Sequence, residues 1–491
     1  MNQLYEAKMH PDPDYTGPEL NRMEAHAVVD LLKQGEVSPS EALAATFTRL
    51  EQVEPAINAM PTTCRERAEK ALASLDDALK DHPGYLAGLP LGIKDLERVK
   101  GVRTTFGTKS KADYVPDYSD HFVENLEQRG GVIVGKTNTP EMGAGGNTFN
   151  EVFGATRNPW DTNLNAAGSS GGAAASLATG ETWLSQGSDN AGSLRTPAAF
   201  CGVVGLRPSP GRVAVTVPKG ANAAFICEGV YGPMARSVRD CALFLDAMGG
   251  FEPRQPISYP APEIPFQQSV LQADGKVRIA FAPDLNGLGP VEKEIDDQMR
   301  LALGKVEAGG GTVVEDCPDL ADLEKTYLAL RGFGMLTGFL REPESTTRHF
   351  KATLKENIKF AQSLTLEDLA NANLDRARLF TNVQNFLTDF DVLACPTVGC
   401  LPRPVEQEWV SEINGIKMNG YLEWLQFSFL STATLLPAIS VPIGIGPSGM
   451  PIGMQLIGQS RGEAKLLAVA RAVEVAVGGP LGPIDPNITH I

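Results

Sequence analysis

Apolar positions show no period over residues 1–20, which read as a polar arm. A helical period follows over 24–33. Ser38-Pro39-Ser40-Glu41 is a capping-box pattern with proline at the first helical position, and it predicts a helix through 42–50. A further helical pattern covers 65–79, so residues 1–80 read as an N-terminal helical layer. From Leu89 onward the texture changes. Gly131-Val132-Ile133-Val134-Gly135 is a short apolar run of the kind that makes a buried strand, and a helical pattern over 122–129 precedes it. Between Gly168 and Gly211 the chain is dense in Gly, Ser and Ala, broken by Arg195, Phe200 and Val203-Val204. Small residues let backbone approach backbone or ligand, so 85–245 reads as a packed catalytic core.

Residues 251–275 are proline-rich and read as a connector. A strand over 277–281, a helix over 291–308 and a mostly helical region over 320–390 are expected next. Residues 391–397, 438–443 and 453–457 read as strands, and 463–475 as a final helix. No internal repeat is visible. Strands alternating with helices predict an α/β fold, and the late strands can complete the early sheet. All 491 residues are therefore expected to form one domain.

Composition narrows the function. The net charge of −16 argues against a nucleic-acid surface and against docking on anionic lipid. The most apolar stretch, 427–446, is interrupted by Pro437 and Pro442 and reads as buried strand and loop, not a membrane span. The start of the chain lacks the pattern of a secretory signal, so a cytoplasmic protein is expected. The seven cysteines are an odd number without CxxC spacing, and they read as reduced core residues. None of the six histidines sits in a metal-ligand spacing, and no glycine-rich loop reads GxxxxGK[ST]. Neither a metal nor an organic cofactor is expected.

The candidate chemistry lies elsewhere. Gly168-Ser169-Ser170-Gly171-Gly172 formally matches the G-x-S-x-G nucleophile elbow. The text before it, 158–163, reads as a loop where an elbow needs a buried strand, and only His349 and His490 follow as bases. Lys94 sits beside Ile93 in an apolar segment, and a lysine is rarely buried without a role. Desolvation lowers a lysine pKa and lets it accept a proton. It can then act as base where histidine is missing. Cys201 lies between Phe200 and Val203 and reads as inert core.

The segment 168–212 closely resembles the signature of the amidase signature family. The likeness extends to GLPLGIKD around Lys94, GKTNTPEM at 135–142, GATRNPWD at 154–161, GPMARSVRD at 232–240, and PAISVPIG and PIGMQ near 437–455. The resemblance implies a central mixed β-sheet with helices on both sides. It implies Ser193 as nucleophile, Lys94 as base, and Ser169, 24 residues before Ser193, as a bridging serine held in a cis peptide. Backbone N–H groups of Asn190, Ala191, Gly192 and Ser193 match the family's oxyanion hole, with Ala191 standing where glycine is usual. The Asn190-Ala191 variant resembles members acting on synthetic amides and oligomers. Met142, Gly143 and Ala144 match a pocket-lining stretch. Asp189 and Arg195 read as a structural ion pair, and Ser170 as a loop hydrogen-bonder.

The expected function is hydrolysis of an amide-type C–N bond through an acyl-enzyme, with carbamates (urethanes) and esters as related substrates. The expected partner is a small amide or carbamate, and the protein a monomer or homodimer. The alternative on the same core is the glutamine amidase subunit of a tRNA-dependent amidotransferase. That type carries an SLDQ-like stretch where this chain has Ile226-Cys227-Glu228-Gly229-Val230-Tyr231. A non-catalytic binding protein on the scaffold is the other alternative, disfavoured because all three relay residues are present. Substrate specificity is expected to reside in 320–430, with Phe333, Phe339 and Trp424 as candidates.

Overall fold

Eleven strands among the described residues hydrogen-bond into one mixed sheet. In chain order they are β1 (Thr62–Thr63), β2 (Pro90–Lys94), β3 (Val132–Thr137), β4 (Leu184–Asp189), β5 (Val204–Arg207), β6 (Val230–Ala235), β7 (Arg278–Phe281), β8 (Thr312–Glu315), β9 (Val392–Pro396), β10 (Ala438–Ile445) and β11 (Pro451–Ile457). Their spatial order is β1-β3-β2-β4-β6-β5-β10-β11-β9-β7-β8. β3, β2 and β4 run parallel, as do β9, β7 and β8. The remaining pairings are antiparallel. The late strands β10 and β11 thus sit beside the early β5. The structure is a computed structural model that describes residues 14–215 and 227–490.

Alternation along the strands explains why helices cover both faces. In β7 and β9, Ile279, Phe281, Val392 and Ala394 join a core with the helices Val238–Met248, Lys293–Ala308 and Glu463–Ala476. Their neighbours Ala280, Leu393 and Cys395 join a second core with the helices Leu323–Phe339 and Leu366–Phe386. Two shorter helices, Gly171–Ala178 and Arg195–Cys201, pack through a third cluster of alanines and Leu194.

The capping box forms as expected. The Glu41 N–H donates to Ser38 Oγ, and the Ser38 N–H donates to Glu41 Oε2 at 2.8 Å. That helix runs on to Ile57, past its predicted end, and stops at Asn58 in the left-handed region. The pattern over 65–79 is α-helical only from Arg65 to Ala73; after it Asp76 accepts the Ala78 N–H at 2.9 Å, and Asp77–Leu79 forms a single 3-10 turn. The stretch 427–446 begins as helix (Phe429–Thr434) and becomes strand only at Ala438. None of the described helices is long and apolar enough to cross a membrane.

Candidate active site

Lys94 is the last residue of β2, and Asp189 is the last residue of the neighbouring parallel strand β4. Open α/β sheets build their ligand sites at such carboxyl ends. The chain after β4 turns through Asn190-Ala191-Gly192-Ser193 into the helix Arg195–Cys201. The Gly168–Ser169 peptide is cis, and it leads into the helix Gly171–Ala178.

These loops meet on Lys94. Its fully buried Nζ donates to Ser169 Oγ at 2.7 Å, Ser170 Oγ at 2.9 Å and Ser188 Oγ at 3.1 Å. The Ser170 N–H donates to the Ser193 carbonyl at 3.2 Å, which ties the two serine loops together. Among the described residues no hydrogen bond joins the hydroxyls of Ser169 and Ser193. Gly187 permits the close fit, because a Cβ there would lie 2.7 Å from Ser170 Oγ.

A second buried lysine shows what is unusual about the first. Lys136, in β3, donates to Asp95 Oδ1 at 3.3 Å and to the Glu97 carbonyl at 2.6 Å, so it has a carboxylate counter-ion. Among the described residues, Lys94 Nζ has only hydroxyls within hydrogen-bonding reach. Burial pushes its pKa down to about 7, against the upward pull of Glu97 and Asp189. Burial, with Asp120, lifts Glu97 to about 7, and its hydrogen bond from Tyr231 opposes the rise. Lys94 therefore exchanges its proton near neutrality, whereas an ordinary lysine does so near pH 10.4.

Asp189 organises the turn that carries Ser193. Its carboxylate accepts the Gly192 N–H at 3.0 Å and the Leu194 N–H at 3.1 Å. Arg195 clamps it through Nε at 3.0 Å and Nη2 at 2.9 Å, and Arg207 adds a contact at 3.4 Å. Burial by itself would raise the Asp189 pKa, but the two guanidiniums outweigh it and hold the carboxyl well below its usual range. The left-handed residue of the turn is Gly192, at φ 86°, and not Ala191. The extra Cβ of Ala191 instead packs in the core with Phe200 and Tyr327. The Gly192 N–H is committed to Asp189. The N–H groups of Asn190, Ala191 and Ser193 make no hydrogen bond among the described residues.

Met142 and Gly143 both have positive φ, and Ala144 is buried. Met142 and Ala144 pack with Met335, Phe339, Phe350 and Leu354 from the helical region. Of the expected specificity residues, Phe333 is 49% exposed at the surface, and Phe339 packs edge-on against Phe350. Trp424 is buried against Gly146 and Phe200. Of the two histidines that follow the elbow text, His349 is exposed and beside Arg348, and the His490 N–H donates to Thr162 Oγ1 at 3.4 Å. The text before Ser169 is not all loop: Asp161–Asn165 pairs with Arg157–Asn158 in a two-stranded ribbon outside the main sheet. Burial pushes the Cys201 thiol far up, out of nucleophile range. Ile226, in the segment compared with SLDQ, lies outside the described residues; Glu228 pairs with Arg376 at 2.6 Å. Away from the site, Glu24, His26 and Asp240 come together, but Asp240 accepts the Ala25 and His26 N–H groups and serves as a helix cap.

Sequence reading missed Ser188, Gln186 and Arg207. Gln186 Oε1 accepts the Lys94 N–H at 3.2 Å. Arg207 donates to the Asp189 carbonyl at 2.8 Å. No spacing announces these residues, because sheet pairing brings them together.

Comparison with known proteins agrees with this architecture. The sequence model of the family described as Amidase matches residues 41–467. An acylamidase of Rhodococcus erythropolis is 34% identical over 94% of this chain and 96% of its own length. One subunit of the glutamyl-tRNA(Gln) amidotransferase of Thermosynechococcus vestitus is 35% identical over 90% of this chain and 95% of its own length. The crystal structure of a bacterial aryl acylamidase of the amidase signature enzymes superposes with a TM-score of 0.84 at 27% identity, covering 94% of this chain and 100% of that one. With that sheet and a match across most of its length, the chain belongs to the amidase signature family and is an enzyme that hydrolyses amide carbon–nitrogen bonds.

Proposed function

We propose that Ser193 is the nucleophile of an acyl-transfer hydrolase, with Lys94 as general base and Ser169 as the proton carrier between them. One observation carries this reading: a buried lysine with no carboxylate partner among the described residues lies 2.7 Å from Ser169 Oγ. Ser170 and Ser188 accept two of the Nζ hydrogens, which leaves the nitrogen lone pair of the neutral amine directed at Ser169. As Ser193 Oγ bonds to the substrate carbonyl carbon, its proton passes to Ser169, and the Ser169 proton passes to Lys94. Catalytic contacts that are open in a free enzyme close when substrate binds, and the Ser169–Ser193 contact is of this kind.

The N–H groups of Asn190, Ala191 and Ser193 are the oxyanion donors in this reading. Fixed donors of this sort stabilise charge as it develops. The proton then returns through Ser169 to the nitrogen, the C–N bond breaks, and the amine leaves. Water attacks the acyl-serine by the same route, which releases the acid and restores Ser193. Carbamates and esters present the same carbonyl carbon and are substrates of the same cycle. The 142–144 turn and the helical region 320–430 form the acyl-side wall. We read the whole chain as one domain and as a cytoplasmic monomer or homodimer. Turnover of a chromogenic acyl anilide, lost in Ser193→Ala, tests the reading.

The glutamine amidase alternative is favoured by the 35% identity to the amidotransferase relative. Glutamine-dependent activity appearing only with copurified partner proteins would support it. Anilide hydrolysis by the isolated chain supports the acylamidase reading.

A further inference from the structure

The helix Leu323–Phe339 sets Tyr327, Arg331, Met335 and Phe339 four residues apart along one face. At one end, Tyr327 stacks on Phe429 and its hydroxyl donates to the Asn190 carbonyl at 3.4 Å, in the nucleophile turn. At the other end, Met335 and Phe339 meet Met142 and Ala144. Arg331 lies between.

Its surroundings differ from those of the other buried arginines. Arg195 and Arg207 share Asp189, Arg212 pairs with Glu463, Arg49 pairs with Asp485, and Arg236 donates to three main-chain carbonyls. Arg331 has no ion pair among the described residues. Nη1 donates to Asn357 Oδ1 at 2.6 Å and to Met335 Sδ at 3.0 Å, and Nη2 donates to Tyr421 Oη at 2.5 Å. The Tyr327 phenol is a further hydrogen-bond partner of the guanidinium. Burial disfavours the charge, but the Tyr421 and Tyr327 phenols offset it. A guanidinium stays charged in proteins, and a buried charge without a partner is unfavourable. The residue is 8% exposed, so it is recessed without being sealed.

We infer that Arg331 is an anion subsite that takes a carboxylate on the acyl portion of the substrate, away from the scissile amide. The inference rests on the reading of Ser193 as nucleophile. Asn190, whose carbonyl Tyr327 holds, belongs to the turn that receives the substrate carbonyl oxygen, which places Arg331 on the acyl side. The guanidinium supplies the fork that a carboxylate fits.

The test uses 4-nitroanilides of linear dicarboxylic acids of increasing length, each beside its methyl ester, with the whole enzyme. At one chain length kcat/KM for the free acid exceeds that for the ester at least about ten-fold, the scale of one charge-assisted hydrogen bond. Arg331→Met removes that ratio and leaves the ester rate within about three-fold, and Arg331→Lys keeps part of the ratio. A wild-type ratio near one at every length overturns the inference. So does equal loss on acid and ester in Arg331→Met that Arg331→Lys does not restore. Ester turnover that survives in Ser193→Ala would instead overturn the nucleophile assignment.

Discussion

Lys94 Nζ and Ser169 Oγ lie 2.7 Å apart at the carboxyl end of a central strand, with no acidic oxygen among the described residues bonded to the ammonium. A surface lysine in water holds its proton until about pH 10.4. Here burial brings the Lys94 pKa down to about 7, which is what the base role proposed for it requires.

Lys94→Met is expected to lower kcat for an amide by roughly 100-fold or more, the scale of a lost general base. In the wild type, activity should rise with pH as Lys94 loses its proton, with the acid limb centred near the pKa of about 7. The Glu97 charge favours the protonated amine, so Glu97→Gln should move that limb to lower pH. Rate profiles of the three proteins on one anilide check both statements.

Folding also responds to this lysine. Between about pH 7 and the ordinary lysine pKa, the unfolded chain holds a proton that the folded chain has released. The wild-type contribution therefore becomes more favourable as pH rises through that window. Relative to Lys94→Met, wild-type stability should gain on the order of a few kcal/mol from pH 7 to pH 10. Denaturant titrations at several pH values read the difference, and a flat difference would show that Lys94 is an ordinary ammonium.

Asp189→Asn leaves Arg195 and Arg207 without their buried counter-charge. Breaking such a pair costs roughly 3–5 kcal/mol. The expected outcome is a large fall in Tm, with loss of Ser193 reactivity because the Gly192 and Leu194 N–H groups lose their anchor. Loss of activity at unchanged Tm would mean that the carboxylate acts on the substrate instead.

Much of the site was legible because its residues recur in order along the chain. Lys94, Ser169 and Ser193 stand in separate motifs, and the structure brings Lys94 and Ser169 into contact and ties the Ser169–Ser170 loop to that of Ser193. The commitment of the Gly192 N–H to Asp189 was not legible, since it depends on the exact turn of the loop. The helix Phe266–Leu271 was also hidden, inside a segment whose prolines read as a connector. Pro265 precedes it, and Asp246, twenty residues upstream, accepts the Phe266 and Gln267 N–H groups at 2.9 and 3.1 Å. A cap supplied from that distance leaves no local pattern. Arg331 reads in sequence as one more helical arginine, and only the acceptors around it show that it lacks an acid.

Ser169→Ala should harm amide hydrolysis more than hydrolysis of an activated ester with the same acyl group. An amine needs a delivered proton to leave, and a phenolate does not. Paired kcat/KM values for a 4-nitroanilide and a nitrophenyl ester read the asymmetry. Equal losses would show that Ser169 also governs the attack step.

The covalent role proposed for Ser193 is read at the site of modification by a fluorophosphonate, mapped by peptide mass spectrometry. A single adduct on Ser193 is expected, abolished in Ser193→Ala and still forming, more slowly, in Ser169→Ala. An adduct on Ser170 or Cys201, or labelling that persists in Ser193→Ala, would contradict it.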